Sequence, residues 1–286
     1  MRSNLNIGDK HYLRWFFLIA FAWTWLLNLP RILAAGGWFS LPGWLSAGLG
    51  YVAVFGPSLA AFGLTAIESG KEGVRSLWRR GWEMNFRKTW LISTILLVPL
   101  CGLITLGCLT ALGGSIPWQL ALQPGMLVPA GLLIWLLGAL PEEYGWRGYA
   151  LDRMQKYTNP LIASLVLGFM WSLWHLPLHF IPGTTQAVIP VWEFTCQMVV
   201  LSILYTWLHN HTGRSVLVAA AFHASSNLTG AVIPTWTTSL GRWLGLLPLL
   251  FVAITIVLRK ALNSPACITP SGEASSPTKE VNLEWR

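Results

Sequence analysis

Long apolar stretches separated by short polar segments set the pattern of this chain. A transmembrane helix needs about 20 mostly apolar residues, and stretches of that length recur along the sequence. The pattern therefore predicts an all-α fold, a polytopic integral membrane helix bundle with about eight transmembrane helices. The predicted spans are residues 13–29, 45–67, 89–112, 126–147, 160–180, 188–208, 215–236 and 239–258.

The composition agrees with this pattern. Of the 286 residues, 54% are hydrophobic and 10% are charged, whereas a soluble domain carries about a quarter charged residues. An intrinsically disordered chain is excluded, because it needs low hydrophobicity and high net charge. The net charge of +8 would point to nucleic acid binding in a soluble protein. Basic residues of a membrane protein instead concentrate in cytoplasmic loops, so no nucleic acid partner is expected.

The distribution of positive charge predicts the orientation. With eight spans nearly all Lys and Arg residues fall on one side, and Arg31 and Arg242 fall on the other. Both termini are therefore predicted to be cytoplasmic, in a multi-pass protein of a bacterial or archaeal plasma membrane that contacts membrane lipid. Residues 1–262 are interpreted as a single transmembrane domain and residues 263–286 as a disordered cytoplasmic tail. The segment 68–88 is either an amphipathic segment on anionic lipid headgroups or a solvated basic loop.

Few ionisable side chains remain inside the predicted spans. Such groups are expensive at membrane depth and usually face a cavity or a partner. Most of them fall in spans four, five and seven, which therefore hold the candidate site. The full set of ionisable side chains deep inside the spans is Glu142, Glu143, Arg147, His175, His179, Glu193 and His223, and the polar Asn227 joins it.

The first group reads Glu142-Glu143-Tyr-Gly-Trp-Arg147. On a helix Glu143 and Arg147 are i,i+4 neighbours and can pair, whereas Glu142 is rotated by about 100° and points elsewhere. One acid can thus be neutralised while the other stays free. The alternative is a helix end at the cytoplasmic interface, where all three residues are solvated.

Two further groups follow along the chain. His175 comes four residues after Trp171, and Asn227 comes four residues after His223. Pro177 disturbs the helix just after His175. His223 and Asn227 project from one helix face, either as functional groups or as a pair of hydrogen bonds between helices.

Depth along the membrane normal is consistent with one site. If span four continues to about residue 155, Glu142 lies about 20 Å and His175 about 23 Å from the same end. His223 is shallower, at about 13 Å, so tilted or broken helices must close that gap.

The three groups in this order resemble the CPBP family, the CAAX proteases and bacteriocin-processing enzymes that are also called the Abi family. The motifs of that family are EExxxR, FxxxH and HxxxN/D, each on a membrane helix. The match covers roughly residues 126–236. One departure is visible, because Trp171 stands where the family usually has Phe.

The resemblance implies an intramembrane endopeptidase that hydrolyses a peptide bond in a membrane-associated protein or peptide, prenylated substrates included. Hydrolysis needs an activated water, a proton shuttle and a group that faces the developing oxyanion. Carried onto the matching positions, the catalytic residues are Glu142 as general base, His175 as proton shuttle, and His223 and Asn227 on the oxyanion side, with Glu143 and Arg147 as the supporting pair.

Three alternatives stay open at this point. A zinc-dependent version of the hydrolysis would use Glu142, His175 and His223 as metal ligands and Glu143 as base. No HExxH motif is present, and a mechanism without metal or other cofactor is favoured. From other classes, the chain could be a proton-coupled transporter with Glu193 and His175 as a relay, or a non-catalytic membrane scaffold or immunity protein.

Overall fold

The computed structural model describes residues 7–118 and 123–262, and every regular element within these ranges is helical. The all-α prediction is confirmed. The predicted tail, residues 263–286, lies outside the described residues. The α-helices are α1 (Ile7–Ala35), α2 (Gly43–Ala53), α3 (Gly56–Arg79), α4 (Lys88–Ala111), α5 (Leu127–Ile134), α6 (Leu140–Gly145), α7 (Asp152–Tyr157), α8 (Pro160–Trp174), α9 (Val191–His211), α10 (Val216–Val232) and α11 (Ser239–Leu258).

The length of these helices confirms a multi-pass membrane protein. Within the described ranges six helices are long and apolar enough to cross a membrane, and the bent pair α2 and α3 adds a seventh candidate. The predicted span 215–236 is a helix of 17 residues, α10, because Ile233 leaves the helical conformation directly before Pro234. The total of eight spans and the cytoplasmic position of both termini stay predictions.

The second predicted span, 45–67, consists of two helices that meet at an angle of 41°. The second of them, α3, then continues through Arg79. It is interrupted at Gly70, whose φ of +61° is a conformation that glycine adopts without steric cost. A solvated loop over the whole of 68–88 is therefore wrong, since the residues up to Arg79 are helical and Trp78 packs against α6.

The fourth predicted span, 126–147, is longer in the structure and runs from Pro124 to Tyr157. Its three α-helical parts, α5, α6 and α7, are separated by π-helical stretches at Trp135–Ala139 and Trp146–Leu151. Such π-helical turns are frequent at functional sites. Here they flank α6, the segment with both acids. The continuation past residue 155 that the depth argument required is present.

Proline and a cap residue fix the limits of α8. The side chain of Asn159 accepts a hydrogen bond from the backbone N–H of Ile162 at 2.9 Å, which satisfies one of the free donors at the helix start. At the other end a short 3₁₀ helix, Leu176–Phe180, replaces the α-helix, because Pro177 cannot continue its hydrogen bonding. His175 is therefore held at the helix end, as the position of Pro177 predicted.

Cationic side chains gather at one end of the bundle, around Asp152. Its carboxylate lies 2.9 Å from Nη1 of Arg80, 2.9 Å from Nε2 of His209 and 3.8 Å from Nε of Arg214. The carbonyl of Arg80 also accepts the N–H of Val216, the first residue of α10, at 3.0 Å. This Asp152 cluster ties α3, α7 and α9 to the start of α10, and so fixes the helix that carries His223.

Two glycines allow the helices around the site to approach closely. A Cβ atom on Gly145 would lie 2.4 Å from Cβ of Pro57, and one on Gly168 would lie 2.7 Å from Cα of Val199. Small residues at such contacts let helix backbones pack tightly in a membrane. Both the acid-bearing helix α6 and the motif helix α8 are therefore set against their neighbours without side chains between them.

Candidate active site

Three helices bring three of the four predicted catalytic side chains together, those of Glu142, His175 and His223. α6 carries Glu142 and Glu143, the end of α8 carries Trp171 and His175, and α10 carries His223. All five side chains are buried. Burying ionisable groups is costly unless they are paired or hydrogen-bonded, so the contacts of each group decide what it can do.

Glu143 is the centre of a fully buried charge network. Nη1 of Arg147 donates to Oε1 and Oε2 of Glu143 at 2.9 and 3.0 Å, and both side chains are 0% exposed. Nδ1 of His223 lies 2.9 Å from the same Oε1. The i,i+4 pairing predicted from the sequence is thus present, and it extends across 80 residues of sequence to α10.

The remaining faces of the Arg147 guanidinium are covered by aromatic rings. Its central carbon lies 3.8 Å from the ring centroid of Tyr205 and 4.5 Å from that of Trp171. Nε and Nη2 of Arg147 have no hydrogen-bond partner among the described residues. Cation–π contact with the two rings therefore stabilises the part of the guanidinium that Glu143 does not reach.

Glu142 has a different partner. Its Oε2 accepts a hydrogen bond from the indole Nε1–H of Trp171 at 2.8 Å. Its Oε1 makes no hydrogen bond within the described part of the chain. The two adjacent acids are therefore divided as their helical spacing predicted. Glu143 is held by a cation, while Glu142 keeps one carboxylate oxygen available.

Both motif histidines are oriented through Nδ1. In His175 this atom lies 2.8 Å from the carbonyl oxygen of Trp171. A carbonyl oxygen only accepts, so Nδ1 must carry the proton, and Nε2 of neutral His175 is left with a lone pair. The same reasoning applies to His223, whose Nδ1 faces the carboxylate of Glu143. Each histidine thus offers Nε2 as its free nitrogen.

Trp171 lies in the middle of these groups. Its ring centroid is 5.8 Å from that of His175 and 5.4 Å from that of His223, in edge-on geometry in both cases. Its N–H binds Glu142 and its face covers Arg147. A single side chain therefore contacts Glu142, Arg147 and both motif histidines.

A zinc ion held by Glu142, His175 and His223 would find a suitable donor set, since catalytic zinc takes carboxylate and imidazole ligands. In residues 7–118 and 123–262, however, no group of three His, Cys, Asp or Glu side chains is arranged to hold a metal ion. Oε2 of Glu142 is already bonded to Trp171. The side chains as placed do not fit a metal centre.

Three polar residues of the spans lie apart from this network. Asn227 is one turn beyond His223 on α10, but its side chain is exposed and forms no hydrogen bond with another described residue. Glu193 pairs with Arg242, at the end of the bundle opposite the Asp152 cluster. Nδ1 of His179 lies 3.1 Å from the carbonyl of Ile189.

Comparison with known proteins finds a family that is similar to this region. Residues 124–229 match the family model described as type II CAAX prenyl endopeptidase Rce1-like. This region resembles the Rce1-like family. A curated relative, the CAAX prenyl protease 2 of Methanococcus maripaludis, is 35% identical over 144 residues, which is 46% of this chain and 52% of the relative. The chain thus spans about half the length of the curated relative it matches.

The Rce1-like region extends from the start of the long helix with both acids to the end of α10. It therefore includes all six predicted site residues, from Glu142 to Asn227. The resemblance to CAAX proteases inferred from the three motifs is confirmed. The roles assigned to the individual residues stay predictions.

Sequence reasoning missed two members of the Rce1-like site. The sequence marks Trp171 only as a departure from the usual Phe, yet its indole N–H donates to Glu142. Tyr205, which covers Arg147, was not singled out at all. The available signal was a tyrosine in an otherwise apolar part of a span, since buried tyrosines usually serve a polar neighbour.

Proposed function

We propose that this chain is an intramembrane endopeptidase of the CAAX-protease type, in which Glu142 activates water without a metal ion. The observation that supports this most directly is the division of the two acids. Glu143 is neutralised by Arg147, whereas Glu142 keeps a free oxygen within the Rce1-like region. A general base needs such an unpaired, positioned carboxylate.

In the proposed reaction, a water molecule lies between Oε1 of Glu142 and Nε2 of His175. Glu142 takes a proton from this water. The oxygen of the water attacks the carbonyl carbon of the scissile peptide bond. The proton passes through His175 to the amide nitrogen, and the C–N bond breaks. The products are a new carboxylate and a free amine, so no further reactant is needed.

The oxyanion of the intermediate needs hydrogen-bond donors that are already in position. The amide of Asn227 can donate without any change of protonation, and His223 can donate from Nε2 when it carries both protons. Glu143 and Arg147 act as positioning residues, because Glu143 holds His223 through Nδ1. Substrate binding must bring the scissile carbonyl towards the exposed side chain of Asn227.

We propose a prenylated peptide or protein as the substrate. An apolar cavity of about 350 Å³ lies between α4, α5 and α10, and Ala221, Ala224 and Leu228 form part of its wall. On α10 these residues lie on a different helix face from His223, so α10 lies between the cavity and the site. Its apolar lining suits an isoprenoid chain on a cysteine near the carboxyl terminus, the modification found in CaaX sequences.

The direct test is cleavage of a farnesylated CaaX peptide by the purified protein in lipid vesicles, followed as release of the terminal tripeptide. Glu142→Gln should reduce kcat by about 100-fold or more, the usual contribution of a general base. Glu193→Gln is the matched control, since this acid pairs with Arg242 outside the site and should retain activity. Full activity of Glu142→Gln, or no cleavage by the wild-type protein, would contradict the proposal.

The metal-free mechanism has its own test. Activity should persist after incubation with 1,10-phenanthroline and should not rise when zinc is added. Loss of activity with the chelator that zinc restores would establish the zinc-dependent alternative instead.

A further inference from the structure

A second cavity, of about 360 Å³, lies between α1, α2 and the end of α8. Trp174, whose ring is edge-on to that of His175, forms part of its wall, so the cavity adjoins the active site but is distinct from it. Arg31 is the one charged residue among those that line it. The function proposed above uses neither this cavity nor this arginine.

The guanidinium of Arg31 is positioned but not neutralised. Its Nη1 donates to Oδ1 of Asn28 at 2.6 Å and its Nε to Oγ of Ser46 at 3.3 Å. No carboxylate pairs with it in the described part of the chain, whereas Arg242, at the same end of the bundle, pairs with Glu193. A guanidinium has five N–H groups, so most donors of Arg31 remain for a ligand.

The surroundings of Arg31 are arranged to hold this orientation. Asn28 is buried, and its own amide donates to the carbonyl of Thr24 at 2.8 Å, which turns its oxygen towards Arg31. A Cβ atom on Gly50 would lie 2.7 Å from Nη1 of Arg31, so the absence of a side chain there makes room for the guanidinium. A cation kept in an apolar cavity without an acid is costly, and an anionic ligand would remove that cost.

The position of Arg31 along α1 matches the depth of lipid headgroups. It lies four residues, or about 6 Å, before the helix ends at Ala35. Two tryptophans follow in the next segment, Trp38 and Trp44, with 80% and 76% of their surface exposed. Exposed tryptophans form belts at the membrane–water interface, so the cavity opens at the level where phospholipid phosphates lie.

We infer that this cavity binds the phosphate of a membrane phospholipid. The fork of N–H groups on Arg31 matches phosphate oxygens in pairs. The remaining walls are largely apolar and suit the glycerol and the first part of an acyl chain. A carboxylate from a peptide is the less suitable anion. The basic residues gather at the opposite end of the bundle, which is the predicted cytoplasmic side, and Arg31 lies away from it.

Native mass spectrometry of the detergent-purified protein tests this inference with three lipids of identical acyl chains: phosphatidylglycerol, phosphatidylcholine and diacylglycerol. Both phospholipids should be retained and diacylglycerol should not. Arg31→Gln should weaken phospholipid retention by on the order of tenfold. Gly50→Ala, which keeps the charge but displaces the guanidinium, should weaken it as well. Arg259→Gln, an exposed arginine at the other end, is the control and should bind as the wild type does.

The melting temperature of each variant shows whether it has folded, and Gly50→Ala carries the test alone if Arg31→Gln does not fold. The inference is overturned if either folded variant binds phospholipid as the wild type does, or if diacylglycerol binds equally well. It is also overturned if Arg31→Gln leaves lipid binding unchanged but raises KM for a peptide with a free terminal carboxylate and not for its amide.

Discussion

Replacing Trp171 with Phe would isolate the hydrogen bond that holds Glu142. The substitution keeps an aromatic ring against Arg147 and the two histidines but removes the indole N–H that donates to Oε2 at 2.8 Å. It also introduces the residue that CAAX proteases usually have at this position. If the N–H holds the carboxylate with Oε1 towards the water, the variant should fold and be impaired in catalysis.

The expected loss follows from the type of bond. A hydrogen bond to a charged group contributes about 1.5–3 kcal/mol, and about 1.4 kcal/mol corresponds to a factor of ten in rate. The value of kcat/KM should therefore fall by about 10-fold to about 150-fold. Because the bond orients the base rather than the substrate, most of this loss should be in kcat.

Trp174 provides a matched control on the same helix. It is equally buried, and its indole N–H donates at 2.8 Å to the hydroxyl of Thr24, a neutral acceptor away from Glu142. Trp174→Phe removes the same atoms and should lower the melting temperature by a similar few degrees, with less than a threefold loss of activity. Activity of Trp171→Phe within twofold of wild type, or an equal loss in both variants, would refute the positioning role.

Two further predictions concern the substrate cavity and the Asp152 cluster. Gly131→Leu extends into the apolar cavity, where a Cβ would lie 3.5 Å from Leu228. It should raise KM for a farnesylated peptide by about tenfold, since about 1–3 kcal/mol is lost when a pocket is filled. Gly107→Leu, in open space on α4, should leave KM unchanged, and equal KM values for both variants would count against a lipid site in this cavity. Asp152→Asn should lower the free energy of unfolding by about 1–3 kcal/mol. Glu83→Gln, in an exposed ion pair, should lower it by less than about 1 kcal/mol. Thermal unfolding in detergent measures both variants, and equal melting temperatures would show that the cluster does not fix α10.

Local spacing predicted the part of the site that lies within one helix. The separation of Glu143 and Arg147 by four residues implied their ion pair, and the neighbouring position of Glu142 implied a different environment. The bond from Glu143 to His223 could not be predicted in this way, because it joins α6 to α10 and depends on how two helices pack. The same holds for the N–H of Trp171, whose direction is set by the end of α8.

The differences in the fold have comparable causes. The spans are predicted from the length of apolar stretches. That length does not reveal a bend between two helices that are both apolar, such as the one between α2 and α3. It also does not show that Gly70 can interrupt a helix without ending it. Pro234 marks the end of α10. A single proline does not predict that α10 is shorter than a spanning helix.

The charges in the site provide an argument for which acid reacts. Glu142 and Glu143 are adjacent, and among the described residues Arg147 is the one arginine or lysine that pairs with either of them, while His223 also lies against Glu143. Arg147 is enclosed by Trp171 and Tyr205, so it cannot turn away from Glu143 without losing both ring contacts. The guanidinium is therefore committed to Glu143, and the negative charge that is left over lies on Glu142. In the proposed mechanism, a carboxylate without a cationic partner accepts a proton from water as that water attacks the scissile carbonyl. In the proposed mechanism, the supporting pair contributes to catalysis by keeping Arg147 away from Glu142, and Trp171 donates a hydrogen bond to Glu142 without neutralising its charge.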